Sequence, residues 1–141
     1  MSLYNLKKAI YGKLKDDSAL ITLLGGNSIF YKNPSSKASY PQVIYDIILD
    51  KDRPFNENDN ESKITETSVE IIVFSKEDTS QQSDEIESRI KAVLSGDGQL
   101  TDLDIICYNS YRTSMSSQRR DESNRIWITN SIYLIKWALQ S

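Results

Sequence analysis

The run IWITNSIYLIKWAL at residues 126–139 constrains this chain most, because neither side of it is polar enough to be left in water. Successive side chains of a strand point to opposite faces. One face would carry Ile126, Ile128, Ile132 and Leu134, and we expect it to be buried. The other would carry Trp127, Thr129, Ser131, Tyr133, Ile135 and Trp137, which is too aromatic for an ordinary wet surface. Tryptophan and tyrosine combine a large apolar area with a polar tip, which suits them to interfaces. Two covers are open for that second face: the protein's own helices or a neighbouring subunit.

The rest of the chain supplies partners for such a strand. Leu3, Leu6, Ile10 and Leu14 recur at steps of three and four, which predicts a helix ending near Asp16. Asp17 or Ser18 can cap a second helix through Leu24, stopped by Gly25 and Gly26. At about two turns this helix cannot persist alone in water, so packing must hold it. A short strand is expected at 29–31, followed by a proline- and serine-bearing loop. Residues 42–49 read as a strand with Val43, Tyr45, Ile47 and Leu49 on one side and Ile44 and Ile48 on the other, hence covered on both faces. Residues 50–62, DKDRPFNENDNES, read as a long mobile polar loop or a hairpin extension. In the next strand Val69, Ile71 and Val73 oppose Glu66, Ser68 and Glu70. Thr79 or Ser80 opens a third helix carried on Ile86, Ile90, Val93 and Leu94 and ended by Gly96. Strands at 105–112 and 125–139 follow, joined by a hairpin loop at about 113–122.

This order predicts one α+β domain over residues 1–141, a mainly antiparallel sheet of four to five strands packed with two to three helices. The expected core contains Leu6, Ile10, Leu20, Leu23, Val69, Ile71, Val73, Ile86, Ile90, Ile128 and Leu134.

Composition narrows function mainly by exclusion. The chain has no histidine, which removes serine–histidine and cysteine–histidine nucleophile pairs and any imidazole metal ligand. A net charge of -3 gives no whole-molecule attraction to nucleic acid or anionic lipid. Its one cysteine, Cys107, forms no internal disulfide and is expected to be a small buried side chain. The first fifteen residues interleave lysines with apolar positions and lack the apolar core of a secretory signal. No stretch approaches the roughly 18 apolar residues of a membrane span. The expectation is a soluble cytosolic protein.

Candidate sites are few. Asp50, Asp52, Asn56 and Asn58 offer hard oxygens, but the glycine of a calcium loop is missing and Pro54 and Phe55 interrupt the alternation. Asp97, Asp102 and Asp104 read as turn and capping residues. Gly25-Gly26 ends a helix instead of starting one, so it is not a phosphate loop. Arg112, Arg119, Arg120 and Arg125 gather around the last hairpin, where they could grip a phosphate backbone or form a solvated tip balanced by Asp121 and Glu122. No catalytic residue, cofactor or metal is assigned.

The succession LKKAIYGKLKDDSAL, LLGG, IFY, SYPQVIYDI, a long polar insertion, VEIIVFSKED and VLSG resembles the tail-completion proteins, or tail terminators, of long-tailed non-contractile bacteriophages. The resemblance spans nearly the whole chain. It implies a structural protein, not an enzyme, that caps the head-proximal end of the tail tube as a ring, probably a hexamer when assembled. Such a ring ends tube polymerisation and offers a joining surface to the head connector or stopper protein. DNA would pass through its lumen without specific binding, and no membrane is involved. Assembly would take place in the host bacterial cytoplasm and end in the virion. The tryptophan-bearing last strand and the asparagine-rich loop are particular to this chain and not carried by the resemblance. Read from the residues themselves, the candidate interface positions are Trp127, Tyr133, Trp137, Phe55, Asp50 and Asp52, and the possible DNA or lumen contacts are Arg112, Arg119 and Arg120. The alternative is a small nucleic-acid-binding module using the arginine-bearing hairpin.

Overall fold

The computed structural model describes residues 3–34, 40–54, 63–76, 79–96, 100–102, 105–115, 118–123 and 125–139. The N-terminal helix pattern gives α1 (Leu3–Lys15), whose stripe of Leu6, Ala9, Ile10 and Leu14 is buried while Lys13 and Lys15 occupy the last turn. Asp17 caps α2 (Ser18–Leu24), its carboxylate accepting from the Leu20 amide at 2.9 Å. Gly25 ends that helix at φ 73°, a left-handed conformation that side chains disfavour. The Gly26 and Gly25 amides then donate to the Ile21 and Thr22 carbonyls at 3.1 and 3.2 Å.

The strands are β1 (Ile29–Tyr31), β2 (Gln42–Pro54), β3 (Lys63–Ser75), β4 (Thr101–Asp102), β5 (Ile105–Met115), β6 (Arg119–Asp121) and β7 (Ile126–Leu139). Helix α3 (Gln81–Leu94) lies between β3 and β4, with Ser80 at its N-cap and Ser95 at its C-cap. One seven-stranded sheet runs in the order β1-β2-β3-β7-β5-β4, with β6 paired beside β7. Only the β1–β2 pair is parallel. The protein is thus a single α+β domain with a mainly antiparallel sheet, larger than expected by the short strands β4 and β6.

Of the two readings of residues 50–62, the hairpin extension fits the described part, and the loop expected at 113–122 is corrected. Residues 50–54 belong to β2, in register with β3 out to Pro54 opposite Lys63. Ladder hydrogen bonding outweighs the polar composition there, and the rest of that expected loop lies outside the described residues. The hairpin region expected at 113–122 instead continues β5 to Met115 and adds β6, whose Arg119, Arg120 and Asp121 pair with Ile128, Trp127 and Ile126.

All three helices pack on one face of the sheet. The main core joins Leu6, Ile10, Leu14, Leu20 and Leu24 with Ile86, Ile90, Val93 and Leu94, over Val43, Tyr45, Val69, Ile71, Val73, Tyr133, Ile135 and Trp137. Cys107 is buried there, as expected, and Leu23 packs at the margin. On β2, Val43, Ile44 and Tyr45 are buried while Ile48 is 47% exposed, so the two-sided cover holds only for the first part of that strand.

Ile128, Ile132 and Leu134 are the main correction to the expected core. They are half-buried on the face without helices, although Ile126 is buried. The helix-covered face of β7 carries Thr129, Ser131, Tyr133, Ile135 and Trp137, all at most 2% exposed. Register explains the choice. Val73, Ile71 and Val69 of β3 stand directly beside Thr129, Ser131 and Tyr133 and must share their face. The small hydroxylated residues then lie under α3, and their polar atoms are satisfied by it: Ser83 and Thr129 hydroxyls are 2.8 Å apart, and Ser131 Oγ donates to Glu87 at 3.3 Å.

Candidate assembly surface

The aromatic side of β7 is closed. Trp137 and Tyr133 are fully buried beneath the protein's own helices, so neither is available to a neighbouring subunit. Trp137 donates from Nε1 to Thr67 Oγ1 at 2.8 Å, which satisfies its indole inside the core. The Tyr133 hydroxyl is buried with no hydrogen-bond partner among the described residues, and burial, with the negative charge of Glu87 second, pushes its phenol well above the ordinary tyrosine range. Trp127 alone of the three is half-buried, its ring 5.6 Å below the Arg120 guanidinium. Phe55 lies outside the described residues, and Asp50 and Asp52 are placed as backbone positions in β2.

The arginines do not converge into one basic grip. Arg112 turns inward and ion-pairs with Glu87 of α3, the two side chains being 22% and 11% exposed. Arg120 covers Trp127, while Arg119 is exposed. Gln118 adds a further tie on this side, donating to Asp84 and to Thr129 at 3.0 and 3.1 Å. Two of the three candidate lumen residues therefore fasten β5 and β6 to the fold. Sequence reading missed their partners because Glu87 sits at an unremarkable helical position, 25 residues before Arg112.

From the middle of α3, Arg89 donates to both carboxylate oxygens of Asp17 at 2.6 and 2.7 Å. The Arg89 hydrogen bond and the Leu20 amide hold the Asp17 carboxyl below its ordinary value against the opposing effect of burial. Leu23, Asp84, Glu85, Ser88, Arg89 and Ala92 line a shallow groove beside this pair.

What remains uncovered by helices is the second face of the sheet and its rims. Down its middle run Phe74 beside Ile128, Glu70 beside Ile132, and Ser68 beside Leu134. Asp46 stands opposite Glu70, and Glu70 accepts from Asn130 Nδ2 at 2.9 Å. Among the described residues the exposed large hydrophobics are Tyr4 on α1, at 66%, and, at the rims of the sheet, Ile48 on β2 and Ile106, Tyr108 and Tyr111 on β5, at 42% to 47%. Among the described residues no group of three histidine, cysteine, aspartate or glutamate side chains is placed to hold a metal ion, and no helix is long and apolar enough to cross a membrane.

Comparison with known proteins follows the same lines. Residues 8–127 match the family described as tail completion protein gp17. No curated protein matches the chain. Among solved structures, 34 chains match. One, from the virion of a native gene transfer agent particle, superposes with a TM-score of 0.73 over 99% of this chain and 97% of its own length. At 13% identity, that likeness is one of fold.

Proposed function

Because the chain belongs to the tail completion protein gp17 family, we propose that this structural tail protein caps the head-proximal end of the tail tube as a ring. The ring ends tube polymerisation, presents the surface to which the head connector or stopper attaches, and leaves a lumen through which DNA passes without being held. Subunits join it in the bacterial cytoplasm and remain in the virion. A hexamer is the assembled form that the family resemblance suggests.

One observation carries this reading: three helices share one face of a seven-stranded sheet, and the other face, with its rims, is left for partners. Apolar side chains that a lone domain leaves at the rim of its sheet are the kind of surface that assembly covers. In this reading residues 50–54 of β2 and the segment after them dock onto tube or connector, and Trp127 belongs to a contact between subunits. The nucleic-acid-binding alternative has less support, since Arg112 and Arg120 are already engaged within the fold.

Electron microscopy of particles made without this protein tests the proposal. The expected result is tubes of excess and variable length with no heads attached, restored by supplying the chain. Tails of normal length joined to heads in its absence would overturn it.

A further inference from the structure

The sheet ends in two free edges. On one side β1 pairs with β2 only at residues 43–45, and among the described residues no strand pairs with the outer edge of β2 at 46–54. On the other side β4 pairs with Ile105 and Ile106, Gly96 bridges Ser110, and no described strand covers β5 at 111–115. Unpaired edges of this kind are templates for another strand, and proteins that must stay monomeric blunt them. Here the two edge strands instead hold four of the five exposed large hydrophobics.

These two stretches lie on the same rungs of the sheet. Asp46 leads through Glu70 and Ile132 to Ser114, and Ile47 leads through Val69 and Tyr133 to Arg112. Leu49 leads through Ser68 and Leu134 to Tyr111. Each edge has one extra residue between these rungs, Ile48 in β2 and Thr113 in β5, where the ladders to β3 and β7 slip. The two strands run in opposite directions, because three antiparallel steps separate them. When β2 of one copy is set beside β5 of the next, the two slips fall within the same stretch and the residue counts match. Asp46 then faces Ser114, Ile47 faces Thr113, Ile48 faces Arg112 and Leu49 faces Tyr111 in antiparallel order.

We propose that the sheet continues from copy to copy, the β2 edge at residues 46–49 pairing with the β5 edge at 111–114 of a second copy of this chain. The proposal rests on the ring reading above. It adds which edges meet and in what register. Each copy offers one edge of each kind, so the contact is head-to-tail, and it closes into a ring when the rotation per step divides a full turn.

The test is oxidative cross-linking in purified tails carrying Asp46→Cys and Ser114→Cys in the same chain. The expected result on a non-reducing gel is a ladder of multiples ending at one closed species, absent from either single variant. Ile47→Cys with Thr113→Cys is the second pair, used if thermal melting shows the first to be misfolded. Gold labelling of the protein separates the two ideas. Label at the head-proximal tube end with no ladder from either pair overturns the edge pairing alone. No label there overturns the ring reading and the edge pairing with it. Dimers from Asp46→Cys alone would indicate β2 meeting β2, and would also overturn the proposal.

Discussion

Tyr133 and Leu134 are neighbours on β7 and belong to different worlds. Tyr133 points under the helices and is fully buried, while Leu134 points to the helix-free face beside Ser68 and Tyr111 and is half-buried. The first face is closed by hydroxyl pairs, an indole bond and an ion pair that suit only this packing. The second has apolar side chains divided by carboxylates, with its most exposed ones at the rims. One face specifies the fold and the other carries no described helix. An alternating strand can therefore be apolar on both sides for two unrelated reasons.

The largest effect that would sharpen this contrast is Tyr133→Glu. A buried carboxylate without a partner is strongly unfavourable, so this variant should fail to fold, as circular dichroism would show. A folded Tyr133→Glu would refute the closed-face description. Next, Ile71→Ala and Ile90→Ala each remove buried methyl groups under the helices and should cost about 2–5 kcal/mol in urea unfolding. Glu87→Ala leaves Arg112 half-buried without its carboxylate and should cost about 1–3 kcal/mol by the same measurement. Acid comes next. The Asp17 carboxyl titrates below its ordinary value of 3.8 in the folded protein, so its contribution is complete above that value and is lost as the pH falls through the lowered one. Wild type should therefore lose more stability than Asp17→Asn between pH 5 and pH 3, by a modest margin because the Arg89 side chain is 40% exposed. The smallest effect on folding belongs to Leu134→Asn, at less than about 1 kcal/mol. If Leu134→Asn destabilised the chain as much as Ile71→Ala, the two faces would not differ in the way described.

Much of the fold was legible because local chemistry determined it. The Leu3–Leu14 stripe, the Asp17 cap, the Gly25 stop and the alternation around Ile71 each identify an element without reference to the others. The orientation of β7 was not legible. Alternation separates two sets of side chains but does not say which set lies beneath helices, and isoleucine outranks threonine and serine on any hydrophobicity scale. Only the register Val73–Thr129 and Ile71–Ser131 decides it, and that is information about pairing. The polar run at 50–54 left loop and hairpin extension both open for a related reason, since an edge strand can be polar and still take its hydrogen bonds from β3. The candidate interface residues were chosen for their aromatic character, which two of them, Tyr133 and Trp137, use inside the domain.

The Asp17 carboxylate touches the beginning of α2 and, through Arg89, the middle of α3, across 72 residues of sequence. Seven residues of helix have too few internal bonds to open and close on their own account, so α2 has no separate melting behaviour to display. In hydrogen–deuterium exchange its amides should be released together with those of α3. The short helix would then report the opening of the helical layer as a whole.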